Sequence, residues 1–297
     1  SRPTRPRRHM DPVYLSALIA LSASVVFALS NHVQHIALDH MDVRNGTLVN
    51  VATSAVILWL LAPFFLVPQT LLSEPVLWFA LAGLIVPSLS MTFHSWSVRL
   101  IGPALTAGIA STSPVFAMVI AVFVLGEIVG ARTLAGTAIV VGSIVFIALR
   151  SRGAGAAWPA WAVAIPLGAA LTRGLSHNAI KIGLTGLPSP MTAAMVAATT
   201  SLLILLSVHL ASGRSLPAPN RGYFWFGLCG FLNGLGLVGL NVALSLGDVV
   251  VVAPLVATTP AFTLLTGWLF FRREVVRLPT IIAIGCIFAG CVLIITR

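Results

Sequence analysis

Arg173, His177 and Lys181 are spaced four apart within one apolar run, so on a helix they share a face. A guanidinium stays charged at any physiological pH and can fork a carboxylate with two parallel hydrogen bonds. Arg173 is therefore a candidate clamp for an anionic group; the alternatives are snorkelling or pairing with backbone carbonyls. Lys181 and His35 fall near the ends of their runs and are expected at an interface. A second polar set, Ser90, His94 and Ser97, shares a face of another run, with Phe93 and Trp96 beside it. Asn233 and Asn241 lie two turns apart on a third. Such groups can hold an amine or a ring through amide hydrogen bonds, cation–π contacts or stacking. The competing account is helix–helix hydrogen bonding for the polar residues and lipid anchoring for Trp96. The expected substrate-binding set is Asn31, His94, Trp96, Arg173, His177, Asn233 and Asn241.

Other chemistries find little support. Cys229, Cys286 and Cys291 lie in apolar runs at spacings that suit no metal site. His32, His94, His177 and His209 could in principle ligate haem, but no two form a close pair on one helix. Gly234, Gly236 and Gly239 match a dinucleotide spacing without a strand–helix unit, and read better as close helix packing. No His-Glu-x-x-His or Gly-x-Ser-x-Gly segment occurs. No catalytic residue, metal or cofactor is expected, and the chain is not expected to be an enzyme. The seven acids, Asp11, Asp39, Asp42, Glu74, Glu127, Asp248 and Glu274, all fall at predicted helix ends or loops. Ion-coupled transport often uses a carboxylate within the membrane; transport without tight ion coupling is therefore expected, with histidine or carbonyl coupling as the alternative.

The elements that must position these residues are set by composition. Of 297 residues, 58% are hydrophobic and 8% charged, and mean hydropathy is +1.02. A soluble domain carries roughly 25% charged residues; this surface must be solvated mostly by lipid. The net charge of +10 comes from 17 Lys+Arg against 7 Asp+Glu. The basic residues cluster at run ends and connections, where they meet headgroups rather than nucleic acid. Spans of about 20 apolar residues are predicted at 12–37, 46–68, 75–97, 103–126, 131–149, 159–181, 189–210, 221–243, 248–271 and 275–296. Arg2, Arg5, Arg7 and Arg8 precede the first run, which lacks a convincing cleavage site and is expected to be retained. They favour a cytoplasmic N-terminus, although the later loops give no support.

The sequence also repeats. Pro114 and Pro260 are 146 apart, and Ser113 and Thr259 fall together at that shift. Ala110 to Phe116 aligns with Val256 to Phe262, and Leu29-Ser30-Asn31-His32 with Leu175-Ser176-His177-Asn178. Arg173, His177 and Lys181 thereby match Phe27, Asn31 and His35. One residue later in register, Glu127 meets Glu274. The expected layout is a basic tail at 1–11, a five-helix repeat at 12–150, a connection at 151–158 and a second repeat at 159–297. Because five is odd, the second copy enters the membrane from the opposite side, an all-α inverted repeat of ten helices with its substrate site between the halves. Pro114 and Pro260 are read as a matched hinge for alternating access; a rigid kink is the alternative.

Gly102 to Ile147 runs from small residues through Ser-Pro and Leu125-Gly126-Glu127 to a Gly-rich closing helix, and Gly247 to Ile294 repeats the plan with Phe271-Arg272-Arg273-Glu274. This unit resembles that of the EamA-type transporters of the drug/metabolite transporter superfamily. The resemblance implies ten helices, both termini cytoplasmic, a bacterial inner-membrane location and export of amino acids or other metabolites. The expected substrate is a small zwitterion, leading with amino acids and including aromatic ones; the only other partner expected is the lipid bilayer. Exchange of phosphorylated metabolites or nucleotide sugars is the rival, as is a membrane enzyme or cofactor-binding subunit.

Overall fold

Lipid offers no hydrogen bonds, so each apolar run closes its own backbone as a helix. The computed structural model describes residues 11–65, 68–101, 106, 109–150, 160–213, 215, 217–271 and 278–296. The helices are α1 (Pro12–Ala37), α2 (Val43–Phe65), α3 (Pro75–Gly83), α4 (Ser90–Ile101), α5 (Ser113–Ile120), α6 (Ala131–Arg150), α7 (Ala164–Gly186), α8 (Pro190–Ala211), α9 (Arg221–Leu246), α10 (Val249–Val256), α11 (Thr259–Thr266) and α12 (Leu278–Ile295). They make ten spans, because α3 and α4 form one and α10 and α11 another. Local chemistry sets several starts. Asp11, Ser189 and Asn220 accept backbone N–H bonds from Val13, Thr192 and Gly222, and Pro12 and Pro190 occupy the first turns.

Three predicted spans are interrupted. Between α3 and α4 the ladder opens at Val86 (φ −124°, ψ 128°), the residue before Pro87, where the α region is disfavoured. Pro87 has no N–H for the carbonyl of Gly83, four residues back. The Ser201 hydroxyl of α8 lies within bonding distance of that carbonyl at 2.9 Å and of the Val86 carbonyl at 3.0 Å. Pro114 and Pro260 do not bend continuous helices: each begins a new one, α5 and α11, after a break. The breaks match. Thr112 (φ −76°, ψ 0°) donates to the Ile109 carbonyl at 2.7 Å, and Thr258 (φ −73°, ψ −5°) to the Leu255 carbonyl at 2.6 Å. Both segments then end in a π-helical turn, Ala121–Leu125 and Gly267–Phe271.

Packing follows the same two-fold relation. α1 lies along α9, and its counterpart α7 lies along α3 and α4. α2 packs on α9, as α8 does on α3. α1 packs on α10 and α11, as α7 does on α5. Residue pairs repeat as well. Ser54 donates to the Gly230 carbonyl at 2.6 Å, matching Ser201 and Gly83 at a shift of 147. A Cβ on Gly230 would strike the Asn50 carbonyl, and one on Gly83 the Ala197 carbonyl, again 147 apart. These approaches need glycine and draw the helices together, as small residues do in membranes. α6 and α12 pair off at the side, where Gly136 meets the Gly290 backbone.

Candidate functional site

α1, α4, α7 and α9 carry the residues of interest. α1 with α9, and α4 with α7, form close pairs, but α1 makes no extensive contact with α7, nor α4 with α9, among the described residues. Arg173 lies on α7, against Ser90 of α4 in the other half. Its side chain is exposed. Its Nε donates one long bond, 3.4 Å, to the Ser90 hydroxyl, and it has no acidic partner among the described residues. One turn on, His177 presents a buried Nδ1 with no hydrogen-bond partner among the described residues. The two residues are close enough for their charges to interact.

The two-fold counterpart of the Arg173–Ser90 contact is apolar. Phe27 matches Arg173, Gly236 matches Ser90, and a Cβ on Gly236 would meet the Phe27 ring. Equivalent places in the two halves therefore hold a cation and an aromatic ring. Asn31, opposite His177, is exposed and donates from Nδ2 to the Thr263 hydroxyl at 3.2 Å.

The remaining sequence candidates are spread more widely. Trp96 is 52% exposed on α4. The side chain of His94 lies outside the described residues. Asn233 donates to Asn50 Oδ1 at 3.2 Å, within a polar cluster of Ser30, Asn50 and Cys229 that ties α1, α2 and α9 together. Asn241 is fully buried; its Nδ2 faces the Pro190 carbonyl at 3.4 Å and its Oδ1 has no partner among the described residues. Pro114 is buried and Pro260 exposed, each beside its helix break. Lys181, expected at an interface, is half-buried and bonded to backbone carbonyls. Sequence reasoning passed over Ser90, Phe27 and Gly236 as a symmetry-related contact, although the 146-residue shift could have found it.

Ten apolar spans and a two-fold relation between the halves define a multi-pass membrane protein built as a repeat. The chain belongs to the EamA-like transporter family, whose model matches residues 14–149 and 160–296. None of the curated proteins matches the chain. A crystal structure is similar over 95% of this chain and 95% of its own, with a TM-score of 0.76 at 15% identity; that likeness bears on the fold alone.

Proposed function

We propose that the protein exports small zwitterionic metabolites, with amino acids as the leading class, by alternating access between its two halves and without tight ion coupling. One observation carries this reading: Arg173 is exposed on α7 beside Ser90 of the other half, with one weak hydrogen bond and no acidic partner among the described residues. A guanidinium in that setting is free to fork a substrate carboxylate. The Phe27 ring suits the apolar part of the same molecule. Substrate-binding roles are proposed for His177, one turn from Arg173, and for Asn31, its two-fold counterpart, while Asn233 and Asn241 tie neighbouring helices together. The proposed location is a bacterial inner membrane with both termini cytoplasmic.

Phosphorylated metabolites fit less well. A dianionic phosphate calls for more than one free cation, and Lys181 is already bonded to two carbonyls.

Counterflow in proteoliposomes tests the proposal. Vesicles loaded with unlabelled amino acids should take up one labelled amino acid, and uptake should persist with ionophores present. Absence of uptake across the panel, in protein shown to be folded, would overturn the substrate assignment. Uptake driven by a proton gradient alone would overturn the uncoupled mechanism.

A further inference from the structure

One face of the molecule carries charged side chains spent on helix ends. Glu127 follows Gly126, whose left-handed backbone (φ 68°) ends the π-helical turn after α5 and turns the chain back. The Glu127 carboxylate then accepts the Val249 and Val250 amides, at 2.9 Å each, at the start of α10 in the other half. Lys181, at the end of α7, donates to the Leu244 carbonyl at 2.9 Å and the Gly247 carbonyl at 2.7 Å, at the end of α9. Each charge meets the favourable pole of the helix it touches, an acid at an N-terminus and a cation at a C-terminus. Lys181 is also close enough to attract Glu127, and Asp248 to repel it.

Counting spans puts all these groups on one side. The chain enters at α1, and the ends of α5, α7 and α9 and the start of α10 return to that same face. Here α7 packs against α9, whereas their counterparts α1 and α3 or α4 make no extensive contact at the opposite face among the described residues. The counterpart of Lys181 is His35, whose ring is exposed; the counterparts of Glu127 and of the two valines fall outside the described residues.

We propose that Glu127 and Lys181 form a lock that shuts the pathway at the face where α1 begins, joining α5 and α7 to α9 and α10, and that this lock must open in each transport cycle. The Leu-Gly-Glu segment thereby acquires a mechanical role. The glycine supplies the turn, the glutamate holds the first amides of the opposite half, and Lys181 holds the preceding helix end. Four hydrogen bonds, two from Lys181 to the end of α9 and two to Glu127 from the start of α10, must break for α5 and α7 to part from α9 and α10. The lock does not depend on which solute is carried.

The test is a spin-label distance across this face. Thr185→Cys on α7 and Leu246→Cys on α9, both exposed positions, are introduced into full-length protein carrying Cys286→Ser, reconstituted at pH 7. The unaltered lock should give a short distance population. Lys181→Met and Glu127→Ala should each add a longer one, while Lys181→Arg, which keeps the charge, should retain the short one. Unchanged distributions in monodisperse Lys181→Met and Glu127→Ala protein would overturn the lock. Amino-acid counterflow by the doubly labelled protein with the lock unaltered separates the two proposals. Longer distances without amino-acid uptake would sustain the lock and defeat the substrate assignment, and uptake with unmoved distances would do the reverse.

Discussion

His32 and Asn178 occupy two-fold-related positions and make the same bond. The His32 ring nitrogen Nε2 donates to the Thr263 carbonyl at 2.9 Å, and Asn178 Nδ2 donates to the Ala117 carbonyl at 3.0 Å. His32 and Asn178 are 146 residues apart, as are their acceptors Ala117 and Thr263. Different side chains thus anchor α1 to α11 and α7 to α5, just after the matched breaks. The backbone relation has outlasted the identity of the residues that enforce it.

If Arg173 clamps a carboxylate, Arg173→Ala should lower counterflow by about ten- to a hundredfold, the worth of a charged hydrogen bond. Arg173→Lys keeps the charge but loses the fork and should recover only part of the loss. Thermal unfolding in detergent should hardly move, because the residue's one bond is long.

Ser201→Ala should destabilise the protein by about 1–3 kcal/mol, since it leaves the Gly83 carbonyl without the partner that Pro87 cannot supply. Ser54→Ala removes the matching bond to Gly230, but Gly230 sits inside continuous α9 and keeps its helical partner. Its loss should be smaller. Thermal unfolding of the two variants side by side measures the difference.

Glycines sort into two groups. Gly83→Ala and Gly230→Ala press a methyl onto a backbone carbonyl of the facing helix. Each should cost about 1–3 kcal/mol or more and lower the yield of folded protein. Gly142→Ala and Gly285→Ala meet nothing and should be neutral, or stabilising by up to about 1 kcal/mol through helix propensity. Unfolding midpoints across the four variants provide the check.

Acid should tighten the lock, not loosen it. Burial raises the Glu127 carboxyl above its ordinary value; the Val250 and Val249 amides oppose this, Asp248 adds to it and Lys181 subtracts. A proton therefore binds more tightly to the locked conformer than to one in which Glu127 meets water. That contribution to closure is full below the ordinary carboxylate range and is lost as pH rises through the raised value. The short spin-label population should grow as pH falls from 7 towards 5; growth of the long one would contradict the assignment.

Spans and repeat could be read directly, because lipid demands long apolar runs and the Pro114 and Pro260 segments preserve their register. The breaks were harder. A proline in an apolar run reads as a kink, and only backbone angles reveal that Pro114 and Pro260 open new helices. A change of register was also hidden: Gly83 pairs with Gly230 at 147, but Ser90 pairs with Gly236 at 146. The extra residue is taken up at Val86, where the helix opens into a π-helical stretch. The site was half legible. Arg173 and His177 share a face in the sequence and in the structure, whereas the partners of Glu127 lie more than a hundred residues away, and no local pattern announces them.

The mismatch between Arg173 with Ser90 and Phe27 with Gly236 bears on the cargo's journey. Two identical walls would let a solute sit either way round. If the proposed site takes one end of its solute on Arg173 and the other on Phe27, the solute sits one way only, and under the proposed alternating access that orientation travels with it. A molecule leaving by the far side is then released with the same end still facing the same half, so the passage has a polarity that its nearly symmetrical backbone does not.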